Sequence, residues 1–244
     1  MNDLQTVAGW LSEADAVVTF SGAGLSKASG IPTYRDAGGL WTKSGNLKYS
    51  SIDALADDPE GFRAFWAQRR ADICGAEPNA GHRALAELER RHGGVEHTTQ
   101  NIDGLLTRAG CAVVHELHGN LARWRCDACG ARDVAPLLPC PTCGSAVRPD
   151  VVMFGEMLDA RTVADAGRAA KRARMCLVVG TTGVVHPAAG MVDKTAARGG
   201  RIVVVNVEDS EFDARAHAVL RGPAEELLPE LLAYLPSTLM PRSA

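Results

Sequence analysis

Long apolar runs are missing from this 244-residue chain. Stretches such as Ile202 to Val205 fall far below the ~20 residues that span a bilayer, so no membrane partner is expected. An unbroken apolar leader is also missing, because Asp3, Glu13 and Asp15 interrupt the first residues. Export is therefore not expected. Charge of one sign is not in excess: 26 Lys and Arg stand against 29 Asp and Glu, for a net charge of −3. Without a basic field, no nucleic acid partner is expected. Internal repeats and low-complexity segments are absent, and the composition argues against overall disorder and coiled coil. An even set of cysteines is lacking too. Seven are present, four of them in two C-x-x-C pairs. That pattern favours metal binding in a reducing compartment, hence a cytoplasmic location, over a disulfide framework.

What is present fits an α/β domain. Apolar residues make up 46% and charged residues 23%, close to globular averages. A short apolar, β-branched run stands at Ala16–Phe20, and similar short strand-like runs, some with polar residues among them, recur at Val95–Thr99, Val113–Leu117, Cys176–Val179 and Ile202–Val205. Such strands point to a parallel sheet covered by helices on both faces. Helical spacing is read over Ala80–Arg91, Ala160–Arg174 and Ala224–Leu235, with Pro229 a candidate kink or restart in the last. Residues 37–78 carry no strong strand, but Pro59–Asp72 reads as a helix. Residues 122–148 are rich in Pro, Arg and Cys and mark a small insert ordered by a metal rather than by a core.

Cys126 and Cys129 form one knuckle and Cys140 and Cys143 another, with residues 130–139 between them. Four thiolates complete a tetrahedron around zinc and leave no open position, so one structural zinc per chain is expected. A redox dithiol would account for one pair only. Cys74, Cys111 and Cys176 are expected as small core residues.

The turn Ser21-Gly22-Ala23-Gly24-Leu25-Ser26 follows the first strand, where a phosphate-cradling loop belongs. It is not the ordinary dinucleotide fingerprint. Lys27 stands where the third glycine would be, and Thr42 to Asn46 supply no acidic ribose partner. A plain tight turn remains open on this evidence alone. An acid does end a later strand, as Glu208 in Val205-Asn206-Val207-Glu208. Polar clusters also follow other strands: Thr99 to Gly104, Glu116 to Asn120, and Gly180 to Gly183. Strand carboxyl ends form the ligand crevice of open α/β sheets, so these clusters are candidate site residues.

Taken together, these motifs resemble the sirtuin family of NAD-dependent protein deacylases, from Ala16 to about Leu232. The glycine turn Gly22 to Ser26, continuing to Arg35, looks like the family signature. So do Gln100-Asn101-Ile102-Asp103, His118-Gly119, the two cysteine pairs, and Arg148 to Glu156. Gly180-Thr181-Thr182, Asn206-Val207-Glu208 and Gly222-Pro223-Ala224 look like its adenine-side motifs. The resemblance implies a single catalytic domain: a Rossmann-like NAD-binding core (1–36, 79–121, 156–244), a helical module (37–78), and a zinc-binding module with the substrate strand (122–155). It implies NAD as co-substrate, acyl-lysine proteins as partners, and His118, Asn101 and Asp103 as catalytic residues. Cofactor contacts are implied at Gly22, Ala23, Gly24, Ser26, Ile31, Pro32, Tyr34, Arg35, Trp41, Gln100, Asn101, Ile102, Asp103, Gly180, Thr181, Thr182, Asn206, Val207, Glu208 and Ala224. Substrate contacts are implied at Trp66, Arg69, Val151, Val152, Met153, Phe154, Gly155 and Glu156.

Departures from the family pattern bear on specificity. Thr33-Tyr34-Arg35 stands where many sirtuins have Asp-Phe-Arg, Thr182 and Gly183 replace Ser and an aliphatic residue, and Met153 replaces a common aromatic. Sirtuins that remove acidic acyl groups carry Tyr-x-x-Arg in the helix that here reads Trp66-Ala67-Gln68-Arg69. The arginine is present and the tyrosine is not. Removal of acetyl or other neutral groups is therefore expected, with acidic acyl removal through Arg69 as the alternative. A solvated cationic face at Arg69 and Arg70 is an equally open reading. Mono-ADP-ribosyl transfer and a non-catalytic NAD- or ADP-ribose-binding module are further alternatives.

Overall fold

The computed structural model describes residues 3–33, 47–132 and 139–239. In chain order the elements are α1 (Asp3–Glu13), β1 (Val17–Ser21), α2 (Asp53–Asp57), α3 (Pro59–Cys74), α4 (Ala80–His92), β2 (Val95–Thr99), α5 (Leu105–Ala109) and β3 (Val114–Glu116). They continue with β4 (Gly119–Arg125), β5 (Arg148–Val151), α6 (Ala160–Arg172), β6 (Met175–Val179), α7 (Gly190–Ala196), β7 (Arg201–Asn206), β8 (Ala218–Arg221) and α8 (Ala224–Ala233).

Six strands form one parallel sheet in the order β3-β2-β1-β6-β7-β8. This is the doubly wound arrangement, in which the strand order reverses beside β1. Every residue of β1 and β6 is buried, as a sheet covered on both faces requires. Odd positions of β1 and β6, such as Val17 and Leu177, pack with α1, α4 and α8. Even positions, such as Val18 and Val178, pack with α6 and α7.

Local sequence accounts for the helix ends. Asn79 caps α4 by accepting from the N–H groups of Gly81 and His82, and Asp58 caps α3 by accepting from Gly61. Pro59 occupies the first turn of α3, where its missing N–H costs nothing. The last helix runs continuously through Pro229. Cys111 and Cys176 are buried as expected, whereas Cys74 is exposed at the end of α3.

Two smaller clusters flank the sheet. One joins Phe62, Trp66 and Ile73 of α3 to Ile102, Leu121, Val151 and Met153. The other holds Trp124, Cys126, Cys140 and Val147 beside the antiparallel pair β4–β5. No helix among the described residues is long and apolar enough to cross a membrane.

Candidate active site

The carboxyl ends of β1, β2, β6 and β7 open on one cavity of about 750 Å³, within the usual size of a small-molecule site. Gly22, Ala23, Gly24, Gly180, Thr181 and Thr182 form its floor, and Asn206, Val207 and Glu208 form one end. Gln100, Asn101, Ile102 and His118 form the other end, beside Trp66 and Val151 to Glu156. The glycine turn is shaped by its neighbour. A Cβ on Gly24 would stand 2.7 Å from the Cα of Gly180, closer than real Cβ contacts come, so the β1 and β6 turns can meet backbone to backbone only as glycines. Gly24 N–H donates to Gly180 O at 2.8 Å across that contact.

Beneath the turn lies a closed hydrogen-bond set. The buried Ser26 Oγ donates to Asp103 Oδ2 at 2.7 Å and accepts from Asn101 Nδ2 at 3.1 Å. His82 completes it. Its Nδ1 accepts from Asn79 N–H, which leaves Nε2–H to face Ser26 Oγ at 3.4 Å. One hydroxyl donates once and accepts twice, so Ser26 is saturated. Asp103 Oδ1 also accepts from Leu105 N–H, and burial pushes the carboxyl of Asp103 up. Burial likewise lowers His82 to about 4. Asn101 uses its amide protons on Ser26 Oγ and Gly22 O, at 3.1 and 3.0 Å. Its carbonyl oxygen is what remains to offer the cavity.

His118 follows β3 and is half-buried. Its Nδ1 lies 2.9 Å from Gln100 O, a pairing that requires Nδ1–H and leaves Nε2 as the acceptor nitrogen. Burial lowers the His118 pKa, and the Gln100 carbonyl opposes that shift only in part. Gln100 in turn donates from Nε2 to Thr181 Oγ1 at 3.0 Å, linking the ends of β2 and β6.

Ser26, Ile31, Pro32 and Asp103 do not reach the cavity wall, although Thr33 does. Tyr34, Arg35 and Trp41 lie outside the described residues. Arg69 is also off the wall. It is buried and paired with Asp72 at 3.3 Å. Trp66 does line the cavity, but its Nε1–H is already given to Tyr49 O at 2.9 Å.

The segment after β5 is not a free strand edge. Regular pairing stops at Val151. Val152 N–H donates to His118 O, Phe154 N–H to Ser50 O, and Phe154 O accepts from Ile52 N–H. Glu156 points back into the protein, accepting from Met153 N–H at 2.8 Å and pairing with Arg125 and Arg148. Sequence reasoning missed His82, and it placed Arg148 in the substrate-strand motif without its ion pairs to Asp127 and Glu156. The Asn79-x-x-His82 capping pattern is a usable signal for the first; the ion pairs of the second are long-range and no local pattern names them.

The four paired cysteines converge. Cys126 and Cys143 Sγ are 3.6 Å apart, Cys129 and Cys140 Sγ are 3.5 Å apart, and all four lie within 4.8 Å of one another. A tetrahedral zinc with 2.3 Å bonds holds its sulfurs about 3.8 Å apart, so the four thiolates fit the ion. Buried Arg148 ties this knuckle to the cavity, since it pairs with Asp127 and Glu156 and donates to Val151 O at 3.1 Å. The cavity likewise fits a dinucleotide: a glycine-lined floor for phosphates, and the Glu208 carboxylate at one end to accept from ribose hydroxyls.

Comparison with known proteins agrees. The Sir2 family model matches residues 22–187. An NAD-dependent protein deacylase of Thermus thermophilus is 46% identical over 235 residues, covering 93% of this chain and 92% of its own length. One from Thermococcus kodakarensis is 42% identical, covering 91% of each. A Sir2 homologue solved as its NAD complex superposes with a TM-score of 0.87 at 38% identity, covering 94% of this chain and 92% of that one. A Sir2 variant solved with a deacetylated p53 peptide and 3′-O-acetyl-ADP-ribose gives 0.86 at 33% identity, covering 94% and 97%. This chain belongs to the Sir2 family.

Proposed function

We propose that this protein is an NAD-dependent protein deacylase that removes neutral acyl groups, acetyl above all, from lysine side chains. The observation that carries the reading is the placement of His118. His118, with Nε2 as its acceptor nitrogen, lines the same cavity as the glycine turns and the apolar segment Val151 to Phe154. Bound NAD would supply the ribose carbon that receives the acyl oxygen as nicotinamide leaves, so that the products are free lysine, nicotinamide and O-acyl-ADP-ribose.

The chain's own groups then divide the work. Glu208 and Asn206 hold the adenosine end, and the glycine floor meets the pyrophosphate. Asn101 offers its carbonyl oxygen to hydroxyls of the second ribose and fixes the sugar for attack. Asp103 acts through Ser26, as a positioning residue. Trp66, Val151, Val152, Met153 and Phe154 enclose the acyl-lysine stem and keep water from the developing positive charge. His118 Nε2 takes a proton from a ribose hydroxyl and so starts transfer of the acyl group from nitrogen to oxygen. The half-exposed Phe154 and the exposed Met157 at the rim offer the substrate peptide an apolar edge.

Neutral acyl groups are favoured because no described cation lines the pocket near Trp66. Arg69 is engaged with Asp72, and Lys27 is the cation on the wall, beside the glycine turn. The test is incubation with NAD and a panel of acetyl-, succinyl- and longer acyl-lysine peptides, read by mass spectrometry. Nicotinamide formed in step with deacetylated peptide is expected. Peptide carrying ADP-ribose would mean group transfer instead, and no nicotinamide at all would overturn the enzymatic reading.

A further inference from the structure

Behind the sheet, away from the cavity and from the four-cysteine knuckle, three donor groups of different elements meet. His97 stands in the middle of β2 and is wholly buried. Its Nδ1 lies 2.9 Å from Thr19 Oγ1 on β1. Its Nε2 has no hydrogen-bond partner. The Glu89 carboxylate of α4 comes within 3.3 Å of that nitrogen, yet outside hydrogen-bond geometry. Cys111, in the turn after α5, is buried on the same spot. One ligand atom from each of the three lies within 4.8 Å of the others.

We propose that Glu89, His97 and Cys111 form a second metal site, for zinc or a similar borderline divalent ion, with water as the fourth ligand. The donor set is the first reason. Imidazole nitrogen, thiolate and carboxylate are the three ligand types zinc takes, and three protein ligands leave one position for solvent. Charge is the second. A divalent ion with one thiolate and one carboxylate makes a neutral unit, which a buried location requires. The ring's other face is the third. With Nε2 on the metal, Nδ1–H donates to Thr19 Oγ1, the outer contact that fixes a metal-bound histidine. The 3.3 Å between Glu89 and His97 already matches the edge of a tetrahedron with bonds near 2.0 to 2.1 Å, about 3.3 to 3.4 Å. The Glu89 side chain keeps 15% of its surface, whereas His97 is wholly buried. The Glu89 carboxylate also accepts from Ala112 N–H, at 3.0 Å on the oxygen that faces His97 and 3.3 Å on the other, which holds it in place.

Such a site would join α4, β2 and the turn before β3, and β2 leads directly to Gln100 and Asn101. It asks for metal counting rather than an activity assay. Wild-type protein equilibrated with zinc and then dialysed should hold two zinc ions per chain by elemental analysis. Cys111→Ala and Glu89→Gln should each hold one, kept by the four cysteines. With the knuckle loaded with zinc, added cobalt should give a thiolate-to-cobalt absorption band in wild type and none in Cys111→Ala. Wild type that holds one zinc and shows no band with excess cobalt overturns the site, whether or not the variants fold. Variants that retain two zinc ions overturn it equally, and leave a buried His97–Glu89 pair with Cys111 beside it.

Discussion

His118 and Gln100 meet at 2.9 Å, ring Nδ1 to backbone carbonyl, just beyond the carboxyl ends of the parallel strands β2 and β3. The bond selects one tautomer and so decides which nitrogen faces the substrate. It also fixes the first expectation. His118→Ala should lower deacylation by roughly 10²- to 10⁴-fold, the usual worth of a general base, while circular dichroism and melting stay near wild type. Nicotinamide exchange should survive in part, because cleavage of the glycosidic bond precedes the proton transfer. Turnover by His118→Ala at the wild-type rate would remove the base role.

The pH profile follows from the same residue. Burial holds His118 below its ordinary 6.5, so the base form persists at neutral pH. The acid limb of kcat/KM should therefore have its midpoint below 6.5. His82, lowered to about 4, adds a stability effect of the same sign. The unfolded chain binds a proton on this histidine near 6.5 and the folded chain only near 4. Stability should be unaffected by His82 above 6.5 and fall as the pH drops from 6.5 toward 4. Urea denaturation at a series of pH values, with His82→Asn as the control, measures it. A midpoint that does not move between pH 6.5 and 4.5 would contradict the buried neutral ring.

Ser26 is the joint of that network. Ser26→Ala leaves His82 Nε2–H and one Asn101 amide proton without an acceptor, and removes a donor from Asp103. Loss of buried partners of this kind costs about 1–3 kcal/mol. The variant should unfold at lower denaturant. Its KM for NAD should rise more than its KM for peptide, since Asn101 is the cavity residue it holds. A stable variant with an unchanged KM for NAD would mean that Asn101 keeps its place through Gly22 O alone.

Much of this is legible in the amino-acid sequence. Apolar β-branched runs mark β1, β6 and β7 within a residue or so, because strands buried on both faces are continuously apolar; β2 matches its expected bounds although Glu96, His97, Thr98 and Thr99 are polar. Helix α4 was readable from its leucine spacing, and the knuckles from cysteine spacing. Less visible were α1, whose first turns read as mixed polar sequence, and the edge strand β8, whose Ala218–Arg221 is too short and too exposed to stand out. β4 was hidden because its pairing with β5 is broken by a bulge between Asn120 and Trp124. In the site, motifs marked which residues gather but not which of them touch the cavity. Ser26 and Asp103 read as contacts and are buried supports. Glu156 lines the cavity and also accepts from Met153 N–H. Those roles depend on long-range partners, Asn101, His82 and Arg148, that no local pattern names.

Zinc should matter to substrate binding more than to NAD binding. Arg148 joins Asp127, between the two cysteines of one knuckle, to Val151 O and Glu156. Stripping the ion with a chelator, or Cys143→Ser, frees Asp127 to move and loosens the segment that carries Met153 and Phe154. KM for acetyl-lysine peptide should rise several-fold before secondary structure is lost, and Arg148→Met should reproduce that rise with the zinc still bound. Equal changes in the KM for NAD would show that the knuckle supports the whole fold and not the substrate segment.

Acyl selectivity turns on Arg69. Its guanidinium is buried in α3, 3.3 Å from Asp72, and it does not belong to the cavity wall. Reading a distal carboxylate would require it to reach a cavity that it does not line, beside Trp66, whose indole is anchored on Tyr49 O. Trp66 has no remaining proton to offer a carboxylate, so a succinyl group entering here would bury its charge without a partner, at a cost of several kcal/mol. Acetyl-lysine should accordingly be turned over with a kcat/KM at least 10-fold above that of succinyl-lysine on the same peptide. Arg69→Met should lower activity on both to a similar, modest degree, because it removes a helix ion pair and not a recognition contact. A selective rise in KM for the succinyl peptide in Arg69→Met would show that the arginine swings into the cavity when an acidic acyl group is bound, and would reverse the assignment.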